Sequence, residues 1–246
     1  MNILKEHKEN IQYFQFKRFQ EIDFIDHIFS SKIGWAVENT FNNVSNILDI
    51  EEVNIIHLRQ IHSNHIEIID KNIENYSSII GKEGDGLITN ISNLALMTYH
   101  ADCVPIYFID TNKKKIGLAH GGWRGSFDNI SGKMVETFIK NFNTDPQDLL
   151  VGIGPSIGPC CYEVSRNLGE DFLKKYRSFN EIIIKKQNKV YLDLWRLNYL
   201  QLKSAGVLEN NIINSKACTS CNVDEFYSYR RENGTQERMV AVIKLI

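Results

Sequence analysis

The chain reads as an α/β protein in which mixed β-sheets are covered by helices. Three observations predict this. Short segments rich in apolar and β-branched residues recur along the chain and read as strands. Stripes at helical spacing are fewer. The two kinds interleave irregularly, with no strict strand–helix–strand repeat, which argues against a doubly wound nucleotide-binding sheet.

Taken in order, the first 50 or so residues are rich in Phe and Asn with weak periodicity, and no element is assigned there. Strands are expected at Val53–Leu58, His65–Ile69, Leu94–Tyr99, Val104–Ile109 and Ile116–Ala119. A helix follows, because Ile130, Met134, Val135, Phe138, Ile139 and Phe142 form one apolar stripe, with Ser126 or Asp128 as its N-cap. Leu149–Ile153 is the next strand, and Asn167–Tyr176 a helix. Another helix starts after Asp193, carries Leu194, Leu197 and Leu200, and stops at Gly206. Met239–Leu245 closes the chain as a strand. There is no repeat, low-complexity tract or Pro/Gly/Ser linker, so a single domain over 1–246 is expected.

The composition narrows the function. With 246 residues and 43% hydrophobic residues, the chain can build a sizeable core. A net charge of −2 gives no reason to expect nucleic acid or an anionic membrane as partner. Lys113-Lys114-Lys115 and Lys185-Lys186 are short enough to be solvated turns. The first ten residues lack the apolar core of a signal peptide, and no run of 18 apolar residues occurs, so a cytoplasmic protein is expected. The five Cys then read as thiols or ligands rather than a disulfide framework.

The chemistry concentrates at strand ends. Cys103 follows His100-Ala101-Asp102, and His120 lies in Ala119-His120-Gly121-Gly122-Trp123-Arg124-Gly125. His62 sits upstream in Gln60-Ile61-His62-Ser63, with His57 and His65 as competitors on spacing alone. Two His and one Cys make a three-ligand zinc set with an open position, which is the pattern of a catalytic rather than a structural site. Arg124 offers a planar fork for phosphate or carboxylate, as does the Arg230-Arg231 pair. Asp85, in the turn Gly84-Asp85-Gly86, could orient a ligand His. Gly152 to Tyr162 is a Gly/Pro loop suited to a pocket wall, but it is neither a P-loop nor a dinucleotide fingerprint. Cys160 and Cys161 are adjacent, which argues against their sharing one metal. Cys218-Thr219-Ser220-Cys221 has no second CxxC to complete a four-Cys site.

In order along the chain, Gln60-Ile61-His62, Gly84-Asp85-Gly86-Leu87-Ile88-Thr89, Ala101-Asp102-Cys103-Val104-Pro105, Ala119–Gly125, Gly154–Val164, Leu192-Asp193-Leu194 and Cys218-Thr219 through Ser228-Tyr229-Arg230-Arg231 resemble the laccase-domain family. That family was first labelled multicopper polyphenol oxidase. It was later described as zinc-dependent purine nucleoside phosphorylase and adenosine deaminase, and in some bacteria as a peptidoglycan editing factor. The resemblance covers residues 50–246. It implies a three-layer mixed α/β fold shaped like cysteine hydrolases of the toxin-deamidase type. It also implies His62, Cys103 and His120 as metal ligands, phosphorolysis of adenosine, inosine, guanosine and methylthioadenosine, and deamination of adenosine. The chain departs from the family where His27-Ile28-Phe29-Ser30-Ser31-Lys32 replaces a His-Gly-Phe-Ser-Thr-Arg run, so Lys32 stands where a substrate- or phosphate-holding arginine is usual. Asn43-Val44-Ser45-Asn46 replaces a later Asn-Arg pair, and Gly234-Thr235-Gln236-Glu237-Arg238 replaces a Thr-Gly-Arg run.

The expected enzyme therefore holds Zn²⁺ on His62, Cys103 and His120. Asp102 joins these three as a catalytic candidate, and Arg124, Asp85, Arg230 and Arg231 bind substrate. Its partners are purine nucleosides and phosphate, and it is a monomer or homodimer. Two alternatives remain. In one, Cys103 is the nucleophile and His120 its base in a hydrolase acting on a cell-wall precursor. In the other the chain is a copper-dependent polyphenol oxidase, which seven His in total supply poorly if several coppers are needed.

Overall fold

The computed structural model describes residues 2–246. In chain order they form strands β1 (Ile3–Lys8), β2 (Ile11–Phe16) and β3 (Ile25–Ser30), helix α1 (Thr40–Leu48), and strands β4 (Ile55–His57), β5 (Ile66–Ile69), β6 (Gly86–Thr89), β7 (Leu94–His100), β8 (Val104–Asp110) and β9 (Lys115–Gly121). Helices α2 (Trp123–Phe127) and α3 (Ile130–Phe142), strands β10 (Leu149–Ile153) and β11 (Glu163–Val164), and helix α4 (Arg166–Lys175) follow. Strands β12 (Ile183–Lys186) and β13 (Lys189–Leu192), helix α5 (Leu194–Ser204), and strands β14 (Ile212–Asn214) and β15 (Met239–Leu245) complete the fold.

Two six-stranded mixed sheets carry the architecture. One has the order β1-β2-β3-β15-β7-β4 and the other β14-β10-β8-β9-β6-β5; β11-β13-β12 form a small third sheet. Strict alternation explains why the large sheets stack. Leu94 and Leu96 of β7 face the core between them, while Ala95 and Met97 face α1. On β8, Tyr107 and Ile109 point into the inter-sheet core, and Ile106 and Phe108 point to the helices, against Met134, Phe138, Phe172 and Leu197. Helices thus cover sheets on both sides, as expected, and the sheet layer is itself two sheets deep.

The core strands match their sequence assignments, with Leu149–Ile153 and Met239–Leu245 reproduced to the residue. One cap differs. Asn129, not Ser126 or Asp128, caps α3, with its side-chain oxygen accepting the Gly132 N–H from a left-handed backbone (φ +62°). Ser126 instead lies inside the short α2 that precedes it. Asp193 caps α5 as expected, and Gly206 (φ +99°) follows its end.

Candidate active site

Strand register builds the site. β8 and β9 pair antiparallel with Val104 opposite Gly121 and Pro105 opposite His120, so Cys103, just before β8, lies at the same sheet end as His120. β6 pairs with β9 with Gly86 opposite Ala119, which sets Asp85 beside His120. His62 comes from the loop between β4 and β5, with a left-handed backbone (φ +61°).

Asp85 ties these loops together. Its buried carboxylate accepts the backbone N–H of His62 (3.0 Å) and of Ser63 (2.6 Å), the Ser63 hydroxyl (2.8 Å) and Nδ1–H of His120 (2.9 Å). Burial works to raise the Asp85 pKa, but the hydrogen bonds from His120 and Ser63 prevail and hold it below its ordinary value. With Nδ1 engaged, Nε2 of His120 is the free ring nitrogen. A ligand atom each from His62, Cys103 and His120 lie within 4.8 Å of one another. Nε2 of His62 is 3.9 Å from Sγ of Cys103, and the two imidazoles meet edge to face at 4.9 Å.

Half-buried Cys103 and buried His120 each favour the other's charged form. Burial works against both charges, yet attraction lowers the Cys103 pKa to about 6 and raises that of His120 to about 9. Asp85 reinforces the shift on His120, and His62 that on Cys103. The backbone is shaped for this approach. A Cβ on Gly122 would sit 2.7 Å from Cδ2 of His62 and 3.2 Å from Sγ of Cys103.

These three residues open onto a cavity of about 840 Å³. The structure also places Asp102, Arg124 and Arg230 on its wall. The Arg124 guanidinium lies over the Trp123 ring at 4.3 Å, and that of Arg230 over Tyr162 at 5.1 Å. The Asp102 carboxylate is turned to the loops behind it. It accepts from the Thr219 hydroxyl (2.6 Å), the Ser228 hydroxyl (3.0 Å) and the Arg230 N–H (2.7 Å), while its carbonyl accepts the Ile157 N–H (2.9 Å).

Asp85 lies behind His120, and Arg231 turns away from the cavity. The Arg231 guanidinium is committed to the carbonyls of Thr219 (2.8 Å), Ser220 (3.2 Å) and Phe226 (2.6 Å) and to Glu232 (2.6 Å). Lys32 is also off the cavity and donates to the Val223 carbonyl. Of the competing histidines, His57 reaches the wall but packs against Phe41 and Tyr99, and His65 pairs loosely with Glu67 at 3.9 Å.

Ile157 and Tyr162, of the loop expected to form a pocket wall, do line the cavity, whereas sequence reasoning missed Arg59, Tyr99, Tyr229 and Arg238. It also missed buried His100, whose ring is held by the Cys103 carbonyl (3.0 Å) and the Thr98 hydroxyl (2.8 Å). The His100-Ala101-Asp102-Cys103 run was the available signal for His100.

The second difference concerns the remaining cysteines. Cys160 and Cys161 lie in a turn closed by the Cys161 and Tyr162 N–H groups, both on the Gly158 carbonyl at 3.0 Å. In that turn adjacent side chains converge, and the thiols of Cys160, Cys161, Cys218 and Cys221 all lie within 4.8 Å of one another. Adjacency argued against Cys160 and Cys161 meeting at one point, and the CxxC has no second CxxC; the structure nevertheless brings all four thiols together, because the Cys-Cys turn faces the CxxC, a placement that pairwise spacing rules do not register.

Residues 33–246 match the family model described as "Multi-copper polyphenol oxidoreductase laccase". A Borreliella burgdorferi protein named purine nucleoside phosphorylase is 34% identical over 93% of this chain and 95% of its own. The purine nucleoside phosphorylase YlmD of Geobacillus stearothermophilus is 40% identical over 65% of this chain; the match spans 59% of that protein's length. The crystal structure of YlmD from Geobacillus stearothermophilus superposes with a TM-score of 0.87 at 28% identity, covering 100% of this chain and 99% of that one. The Bacillus licheniformis protein YfiH gives a TM-score of 0.86 at 27% identity, covering 98% of this chain and 99% of that one.

Proposed function

Because the chain belongs to the multi-copper polyphenol oxidoreductase laccase family, whose members here carry the name purine nucleoside phosphorylase, we propose that it is a metal-dependent purine nucleoside phosphorylase. The observation that carries this reading is one cavity holding a two-histidine, one-thiol donor set beside aromatic faces and guanidinium groups. The donor set fits zinc. Asp85 fixes the His120 tautomer so that Nε2 faces His62 and Cys103, and the Cys103 thiol ionises readily. His62, Cys103 and His120 would hold the ion, which supplies a Lewis acid beside the bound substrate. Several coppers are less well served, since His57 is packed between aromatics and His100 has both ring nitrogens engaged.

The chain's own residues account for the rest. Phosphorolysis breaks the bond between purine and ribose and transfers the sugar to phosphate. Arg124, already stacked on Trp123, presents a fixed fork to a phosphate, and Arg230, stacked on Tyr162 with Nη1 on the Glu163 carbonyl (2.7 Å), offers its remaining N–H groups. Tyr162 offers a face for the base, and burial pushes its hydroxyl above its ordinary pKa, so it stays a neutral donor. Adenosine, inosine, guanosine and methylthioadenosine are the proposed substrates, with deamination of adenosine as a second activity of the same site. The test is to incubate metal-quantified protein with adenosine, with and without phosphate, and weigh the products. Adenine and ribose 1-phosphate formed only with phosphate support the proposal. No product from folded, zinc-loaded protein overturns it.

A second reading has a specific observation behind it. Cys103, His120 and Asp85 form a thiol–imidazole–carboxylate series, which is also the layout of a cysteine hydrolase. Zinc protection of Cys103 from alkylation supports the metal enzyme; a trapped acyl-thioester on Cys103 supports the hydrolase.

A further inference from the structure

Cys160, Cys161, Cys218 and Cys221 gather four thiols next in sequence to Tyr162 of the cavity wall, as a group separate from His62–Cys103–His120. Sγ of Cys221 is 3.5 Å from that of Cys160 and 3.4 Å from that of Cys161, and every pair is within 4.8 Å. Four thiolates around zinc at about 2.3 Å leave sulfur–sulfur edges of about 3.8 Å, so small side-chain rotations close this set around an ion. One of the sulfurs already has a backbone donor. The Gly158 N–H donates to Sγ of Cys218 at 3.2 Å. The Cys218–Cys221 segment is a tight turn, with the N–H of Cys221 on the Cys218 carbonyl at 3.2 Å. Arg231 holds the two carbonyls between these cysteines, at Thr219 and Ser220.

We propose that these four cysteines form a structural, four-coordinate zinc site that staples the Cys160-Cys161 turn to the Cys218–Cys221 turn. Binding displaces the thiol protons to solvent and leaves no position open for substrate, so the site is structural and not catalytic. Its place in the fold gives it a purpose. Tyr162 follows the first turn, and Thr219, in the second, donates to Asp102 beside Cys103. Both turns belong to loops, without a strand to fix their separation. A short parallel bridge between Ser156 and Cys218 is the one backbone pairing that joins them among the described residues. The ion would add a further tie behind Tyr162 and Arg230, beyond the hydrogen bonds that Ser156 and Gly158 make to the second loop.

The test counts zinc in full-length protein prepared under reducing conditions with zinc present. Wild type is expected to hold two ions per chain, and Cys103→Ala and Cys221→Ser one each. In native Cys103→Ala protein, all four remaining thiols should resist Ellman's reagent until a chelator removes one zinc, after which four react. Cobalt substituted into the Cys103→Ala protein should give the intense thiolate charge-transfer and tetrahedral bands of a four-sulfur site, a readout that needs no change in the cluster should Cys221→Ser fail to fold. A zinc-free Cys103→Ala protein whose four thiols react at once overturns the proposal. So does a mass lower by two hydrogens in that variant, which would mean that two of the thiols are joined as a disulfide. Because the decisive measurements use protein lacking Cys103, they stand whether or not the phosphorylase reading survives.

Discussion

Asp85 shows how one buried side chain can set a whole site. It positions His62 through the backbone and His120 through Nδ1, so its loss should act on both ligands together. Asp85→Asn keeps the size but replaces one acceptor oxygen with a donor. We expect a roughly 10- to 100-fold drop in metal affinity or turnover, as for other groups that orient a metal-bound His; zinc titration and assay of the folded variant check it. Gly122→Ala tests close approach instead, since its Cβ would meet His62 at 2.7 Å and Cys103 at 3.2 Å. The variant should fold, with unchanged far-ultraviolet dichroism, and lose metal; retention of stoichiometric metal would contradict the geometry. Cys103 and His120 were legible in the sequence because each sits at the end of an apolar strand, and His62 because it falls in the loop between two strand-like segments. The roles of Arg231 and Lys32 were not, because residue type says nothing about which carbonyls a cation will find. The four-cysteine cluster escaped for a related reason: it joins turns nearly 60 residues apart, and adjacency misleads wherever the chain is not extended.

Elements read well where burial is two-sided. β7, β8, β10 and β15 are nearly continuous runs of buried apolar residues, and such runs are their own signal. β1 has one fully buried residue in six and edges its sheet, so its alternation is too faint to mark a strand. β6 was read only as a turn at Gly84–Gly86, although its four residues are all buried. Helix ends obey capping chemistry, and this yields a prediction. Asp193 accepts the Arg196 N–H at 2.9 Å, immediately before Leu194 on the cavity wall. Asp193→Ala should cost about 1 kcal/mol, seen as a lower denaturant midpoint with an unchanged slope. Truncating Phe138, fully buried between α3 and the second sheet, should cost about 3–5 kcal/mol by the same measurement. A smaller loss than at Asp193 would show that the helix layer repacks freely.

At the scale of the molecule, the space between the sheets holds a histidine that must stay neutral. His27 packs with Phe16, Phe19 and Tyr107, and its Nε2 accepts the Phe16 N–H at 2.7 Å. Burial lowers its pKa from 6.5 to about 3. Between those values the unfolded chain binds a proton that the folded chain does not, so stability falls as pH drops through that window, by up to about 1.4 kcal/mol per pH unit. Melting temperatures from pH 7 to pH 4 should decline less steeply for His27→Gln than for wild type; parallel curves would remove His27 as the cause. The order of the first sheet has a consequence for how the protein is made. β15 is the strand between β3 and β7, so residues 239–245 join segments that precede them by roughly 210 and 140 positions. On a ribosome adding about 5–20 residues each second, β3 and β7 wait on the order of ten seconds or more with their inner edges bare. A nascent chain stalled short of residue 239 should therefore stay open to proteases and to chaperones that bind exposed strands, however complete its second sheet.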